Sequence, residues 1–204
     1  MKYETVTVSE MREYDRYTIE NFCPSKTLML RAADGIYKSV DWKGKKTAVI
    51  CGSGNNGGDG YALSVILKEA GESVVIIRAS EKFSEDGRYY YDMAMSKGVE
   101  DIVFGEDTDL DKYDILVDCL LGTGFSGDVR GNILCAIEKI NLSESYVVSA
   151  DINSGMNGDT GEGSTVVRSD ITVSIGFVKV GMITENAKKY IGKLVNIDIG
   201  IIKP

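Results

Sequence analysis

The feature that most constrains the fold is a set of short segments that are apolar along their whole length. Thr47-Ala48-Val49-Ile50-Cys51 runs into a glycine-rich loop, Asp114 to Leu121 runs into a second, and Tyr146 to Ile152 carries Asp151 near its end. Ser73 to Ile77, rich in β-branched residues, and Ile171 to Ile175 and Leu194 to Ile199 also read as strands. A strand with one wet face alternates apolar and polar residues. A strand that is apolar throughout is covered on both faces, which is the condition of a parallel sheet between helical layers.

Helical spacing fills the intervals. Ser9, ahead of Glu10-Met11-Arg12-Glu13, reads as the N-cap of a helix that reaches about Glu20. A second helix is expected from Leu28 to Trp42. Leu63, Ile66, Leu67 and Ala70 share one face of a third, which Gly71 closes. Ser84 to Gly98 reads as a fourth, and Ile133, Ala136, Ile137 and Ile140 mark a fifth. Strands alternating with helices predict an α/β fold: a Rossmann-like three-layer αβα sandwich with a mostly parallel sheet, preceded by an N-terminal helical extension. No repeat, low-complexity tract or linker interrupts residues 1–204, so one domain is expected.

Charge and composition exclude some function classes. The formal net charge is −8, which opposes nucleic acid and anionic membranes as partners, since both reward a basic face. It leaves room for a phosphate held locally by backbone N–H groups at a helix start. Met1-Lys2-Tyr3-Glu4-Thr5 has no apolar core of a secretory signal, and no apolar run reaches membrane-spanning length. Cys23, Cys51, Cys119 and Cys135 form no C-x-x-C pair and read as reduced thiols of a cytoplasmic protein. With no histidine, a His-based triad and a His-ligated metal are both impossible.

In an open parallel sheet, ligands bind at the carboxyl ends of the strands near the switch point. Three loops fall there: Gly52 to Gly60, Asp118 to Asp128, and Asp151 to Gly155. The first two each contain G-x-G-x-x-G, a weak signal alone, because glycines that only permit tight turns give the same match. Arg78 stands where an ordinary NAD dehydrogenase places an acidic residue for the ribose. Asn55 and Asn56 offer amide oxygens and donors, and Asp59 at the helix start has a plain role in complementing the dipole. Asp118 and Asp151 end apolar strands, where an unpaired carboxylate is costly. Oxygens from Asn56, Asp118 and Ser154, if they meet, suit an alkali or alkaline-earth cation better than zinc. The plain alternative is that Asp118 takes backbone N–H bonds and holds no ion.

Taken in order, these pieces resemble the YjeF N-terminal family. The residues that carry the resemblance are Met11-Arg12-Glu13-Tyr14-Asp15, Asn55-Asn56-Gly57-Gly58-Asp59-Gly60, Asp118 with Gly122-Thr123-Gly124, Asp151-Ile152-Asn153-Ser154-Gly155, Asp170-Ile171-Thr172-Val173, Lys179-Val180-Gly181 and the closing Asn196 to Ile201. The resemblance implies epimerisation of NADHX and NADPHX, hydrated and damaged forms of NADH and NADPH that would be substrate rather than cofactor. It implies that Asn55, Asn56, Gly57, Gly58 and Asp59, with Gly122, Thr123, Gly124, Phe125, Ser126, Gly127 and Asp128, hold the dinucleotide. Asp151 would contact the altered nicotinamide and act as acid and base, with Lys179 as the next candidate. One potassium ion per subunit would lie on Asn56, Asp118 and Ser154. The functional partner would be a separate NAD(P)HX dehydratase, and a homodimer is left open.

The sequence departs from the family pattern at Asn153 and Val180, where proline is usual, and in Leu28 to Gly35, which lacks Glu-Asn after Leu-Met. A non-catalytic scaffold or ligand-binding module of the same fold is the competing reading. Retention of Asp118, Asp151 and both glycine loops opposes it. An ordinary Rossmann oxidoreductase is disfavoured by Arg78 and by the missing Lys/Tyr/His pattern.

Overall fold

The computed structural model describes residues 3–204, so Met1 and Lys2 of the N-terminal reading lie outside the described residues. The chain opens with a short strand, β1 (Thr5–Val6), and a helix, α1 (Val8–Asn21). The N-cap is Thr7, not Ser9. Its hydroxyl accepts from the Glu10 N–H at 3.2 Å while Glu10 takes the Thr7 N–H at 2.7 Å, a reciprocal capping box. The second helix, α2 (Ser25–Ser39), both starts and stops before the expected bounds. Pro24 suits the entry because its missing N–H is one that no helix start can satisfy internally. At the exit Val40 turns extended, and the Trp42 indole N–H donates to Tyr37 O at 2.7 Å.

The main sheet comprises β2 (Lys46–Cys51), β3 (Ser73–Arg78), β4 (Glu100–Val103), β5 (Ile115–Cys119), β6 (Tyr146–Ala150), β7 (Ser169–Ile175) and, after the short β8 (Val178–Lys179), β9 (Ile191–Ile197). Their order is β4-β3-β2-β5-β6-β7-β9, and each neighbouring pair is parallel. The six expected strands are all present. The edge strand β4, Glu100-Asp101-Ile102-Val103, carried no apolar signal because an edge strand need not be buried.

Helices α3 (Asn55–Glu69) and α4 (Glu85–Ser96) lie with α2 on one face, and α5 (Gly131–Leu142) lies on the other. The pleat sorts the strands accordingly. Val49, Cys51 and Val117 meet Leu28, Ala32, Leu63 and Ala94, while Ala48, Ile50 and Leu116 meet Ala136, Ile137 and Ile140. This is the expected three-layer Rossmann-like sandwich, with α1 as the added N-terminal helix. No helix among the described residues is long and apolar enough to cross a membrane.

Chain order reverses between β2 and β5, which places the switch point there. The two strand ends approach so closely that a Cβ on Gly52 would lie 1.9 Å from the Leu120 carbonyl oxygen. Only glycine fits that position.

Candidate active site

A cavity of about 590 Å³ opens over the ends of β2, β5 and β6, within the usual range for small-molecule sites. Its walls come from the start of α3, the turn after β5, the end of β6, and the helices α1 and α2. The expected residues Asn55, Asn56, Asp59, Gly122, Thr123, Gly124, Phe125 and Asp151 all line it.

Asp151 follows β6 with φ 64°, and it is the non-glycine residue with positive φ among the described residues. That conformation costs about 1–3 kcal/mol and persists only where surrounding contacts fix it. Here its N–H donates to Val173 O at 2.9 Å, and its carboxylate is held on both sides. Oδ1 accepts from Lys179 Nζ at 2.5 Å, and Oδ2 accepts from the Thr123 N–H at 3.3 Å. Lys179 is 1% exposed and also donates to Ile175 O at 3.0 Å. It reaches this point from β8, which β1 holds in register, Val6 opposite Lys179.

The departure at Asn153 has a structural answer. Its amide donates to Val167 O at 2.9 Å, Ser169 Oγ at 3.0 Å and Tyr190 O at 3.1 Å, and its oxygen accepts from Thr172 Oγ1 at 2.7 Å. These bonds fix the turn after Asp151 that a proline ring would otherwise stiffen.

Two further carboxyls share the cavity with the Asp151–Lys179 pair. Burial, then the negative charge of Asp151, pushes the Asp15 carboxyl up to about 6, with Lys179 opposing. Burial, Asp151 and Asp15 push Asp59 well above the usual carboxylate range, again against Lys179. Asp59 lies in the second turn of α3, not at its first residue, so its position serves the cavity rather than the helix start. Asp15 escaped notice as a site residue. The signal was present: Met11, Asp15 and Ile19 recur every fourth residue, which puts a carboxylate in an apolar stripe of one helix face. All three line the cavity, as does Arg12, whose Nη2 donates to Thr123 O at 3.2 Å.

Asp118, Ser154 and Asn56 come together beneath the cavity. Asp118 is fully buried and accepts four bonds: Leu120 N–H at 3.2 Å and Ser154 O–H at 2.5 Å on Oδ1, Ser149 O–H and Ser154 N–H at 2.9 Å on Oδ2. Burial still raises its carboxyl, outweighing these donors. Ser154 Oγ takes the Leu121 N–H at 2.8 Å, and Asn56 Nδ2 donates to Leu121 O at 2.9 Å. The Asn56 carbonyl oxygen is buried and has no protein partner among the described residues. Leu121 thus joins Asn56 to Ser154, and Ser154 joins the pair to Asp118, which makes no ion pair among the described residues. The orphaned amide oxygen, hydroxyl and carboxylate are hard oxygen donors of the kind that fits a monovalent cation.

Other expected residues stand apart. The segment from Asn55 to Gly60, read from sequence as a loop, forms the first turns of α3. Gly57 and Gly58 are buried behind the cavity wall. A Cβ on Gly57 would lie 2.2 Å from Gly52 O, and one on Gly58 would meet Met29 Cε at 2.5 Å and Gly87 Cα at 3.2 Å. Their glycines serve helix packing. Ser126, Gly127 and Asp128 lie beyond the residues that line the cavity. Arg78 makes a bidentate pair with Asp101 at 2.7 and 2.8 Å and lies against Tyr91, 5.4 Å from the ring centre, so it is committed to the fold. Cys23, Cys51 and Cys119 are free and buried, whereas Cys135 is free and exposed.

A parallel sheet whose switch point opens on a glycine turn, a helix start and an aspartate paired with a buried lysine defines a doubly wound α/β protein with a nucleotide-type cleft. The chain belongs to the family described as YjeF-related protein N-terminus, whose model matches residues 25–181. It is 34% identical to the NAD(P)H-hydrate epimerase of Oenococcus oeni over 98% of both chains. It is 36% identical to that of Lentilactobacillus buchneri over 98% of this chain and 96% of the relative. It is also 32% identical to a protein named bifunctional NAD(P)H-hydrate repair enzyme from Coxiella burnetii, over 94% of this chain but only 40% of that longer one. Among solved structures, yeast ynu0 shares the fold with a TM-score of 0.78 at 22% identity, over 90% of this chain and 86% of that one.

Proposed function

We propose that the chain is an NAD(P)H-hydrate epimerase, an isomerase that interconverts the R and S epimers of NADHX and NADPHX. Sequence likeness along the whole chain supports the reaction class. The single observation that carries it to residues is the ion pair between Asp151, which lines the switch-point cavity, and the buried Lys179 behind it.

The reaction inverts a carbon that bears a hydroxyl beside a ring nitrogen. A proton passes to the hydroxyl oxygen, the C–O bond breaks, and the nitrogen lone pair forms a planar iminium. Water then adds from the opposite face and gives up a proton. The Asp151 carboxylate stabilises the cation and takes part in the proton transfers. Lys179 and the Thr123 N–H hold that carboxylate in place, which limits reorganisation during the reaction. The N–H groups at the start of α3 and the turn from Gly122 to Phe125 receive the phosphates. Asn56, Asp118 and Ser154 would hold one potassium ion, whose positive charge compensates Asp118 and ties α3 to the turn after β5. Epimerisation feeds a dehydratase that repairs one epimer, a separate activity in the cytoplasm.

The test is turnover. Purified protein is given the NADHX epimer that a purified dehydratase leaves untouched, with that dehydratase and its nucleotide co-substrate present, and recovery of NADH is followed by the absorbance of the reduced nicotinamide. Recovery that scales with the protein is expected, and no rate above the blank removes the proposal.

A further inference from the structure

Inversion through a planar cation needs proton chemistry on both faces of the ring. One face loses a hydroxyl and must receive a proton, and the other gains water and must lose one. A single carboxylate does both only if it reaches both faces. Asp151 is poorly placed for that, because Lys179 grips one oxygen, the Thr123 N–H takes the other, and its backbone is locked in the left-handed region.

We propose that Asp15 is the second acid/base group of this site, acting on the substrate face opposite Asp151. The inference rests on the epimerase reading above. Asp15 lines the same cavity from a different wall: Asp151 ends a sheet strand, whereas Asp15 stands on α1. Among the described residues Asp15 has no ion-pair partner, and Arg12, three residues before it on the same helix, is turned to Thr123 O.

The helix that carries Asp15 is anchored along its length. Its start is fixed by the Thr7–Glu10 box and by the Val8 N–H donating to Asp159 at 2.8 Å. Its far end is fixed by Thr18, whose hydroxyl accepts from the Ile202 N–H at 2.9 Å, and Tyr14 packs edge-on against Phe177. Such support is what a positioned acid/base group needs. The groups that face Asp15 are Asp151 from the end of β6, Lys179 from β8 and Asp59 from α3. Their balance leaves the Asp15 carboxyl titrating near 6, close enough to neutrality to hold and release a proton in turn. Burial and the charges of Asp151 and Asp15 hold the Asp59 carboxyl well above the usual carboxylate range.

The experiment compares wild type with Asp15→Asn and Asp15→Glu by kcat and KM from pH 5 to pH 9 on NADHX, with NAD-type ligand affinity measured by calorimetry. Asp15→Asn is expected to lower kcat about 100-fold or more while KM and affinity stay within about threefold. It should also erase the limb near pH 6 from the kcat profile, and Asp15→Glu should restore part of both. An active wild type with an equally active Asn variant and an unchanged limb overturns the role of Asp15 alone. A wild type without epimerase activity overturns the underlying reading, and this one with it.

Discussion

If Asp15 is kept at its position for chemistry, removing its charge should stabilise the protein while disabling it. The carboxyl titrates near 6 in the fold against 3.8 as its ordinary value. Between those two values the folded state binds more protons than the unfolded state, so stability falls as pH rises. The contribution is fully present below 3.8 and lost above 6. A shift of about two units corresponds to about 3 kcal/mol, and water reaching the half-buried carboxyl trims that to about 1–2 kcal/mol. Asparagine has nearly the same shape and no charge to desolvate. For a chain of this size each kcal/mol moves Tm by about 2–4 °C, so Asp15→Asn should melt about 2–8 °C higher than wild type at pH 8. Thermal unfolding followed by circular dichroism from pH 4 to pH 8 measures the gap, which should shrink toward zero at pH 4. Asp118 is also raised and pulls both proteins the same way, whereas Asp59, raised in part by the Asp15 charge, relaxes in the variant and widens the gap in the same direction. A gap that is absent at pH 8, or constant across pH, refutes the argument.

Asp118→Asn should lower stability by about 1–3 kcal/mol in urea unfolding, because each Asp118 oxygen accepts one fixed backbone N–H and either amide orientation turns an NH2 toward one of them. An unchanged midpoint would mean that Asp118 already carries a proton. Gly58→Val should cost folding more than ligand affinity, since its side chain would strike Met29 and Gly87 at the helix contacts, and a melting temperature equal to wild type would contradict that packing. Potassium should raise Tm more than lithium at equal ionic strength, and Asn56→Ala should remove the difference by deleting the orphaned oxygen. Equal effects of the two salts on wild type would leave Asn56 without that role.

Most of the sheet was legible because its central strands are buried and rich in apolar and β-branched residues, while the edge strand β9, which has no buried residue, was legible from Leu194, Val195 and Ile197. What escaped was decided by tertiary contact. The Asn-Asn-Gly-Gly-Asp-Gly run has poor helix propensity and reads as a loop, yet it forms the start of α3 because its glycines let the helix press on Gly52, Cys51, Met29 and Gly87. The same packing keeps Gly57 and Gly58 behind the cavity wall while Asn55, Asn56 and Asp59 line it. The Thr7 cap was readable from Glu10 at the third helical position, a stronger sign than the serine that follows. The meeting of Asp118, Ser154 and Asn56 was not readable, because it depends on Leu121, whose N–H and carbonyl bridge Ser154 and Asn56. Asp151 and Lys179 were named from separate motifs, and only the β1–β8 pairing shows why they touch.

The most direct test of the account is epimer exchange by Asp151→Asn beside wild type, followed by chromatographic separation of R- and S-NADHX without a coupling enzyme. Wild type should equilibrate either pure epimer. The variant should fold and bind an NAD-type ligand yet equilibrate at least about 100-fold more slowly, because an amide neither exchanges the proton nor balances the cation. A variant that exchanges the epimers at the wild-type rate would contradict the central claim that the carboxylate held by Lys179 performs the chemistry.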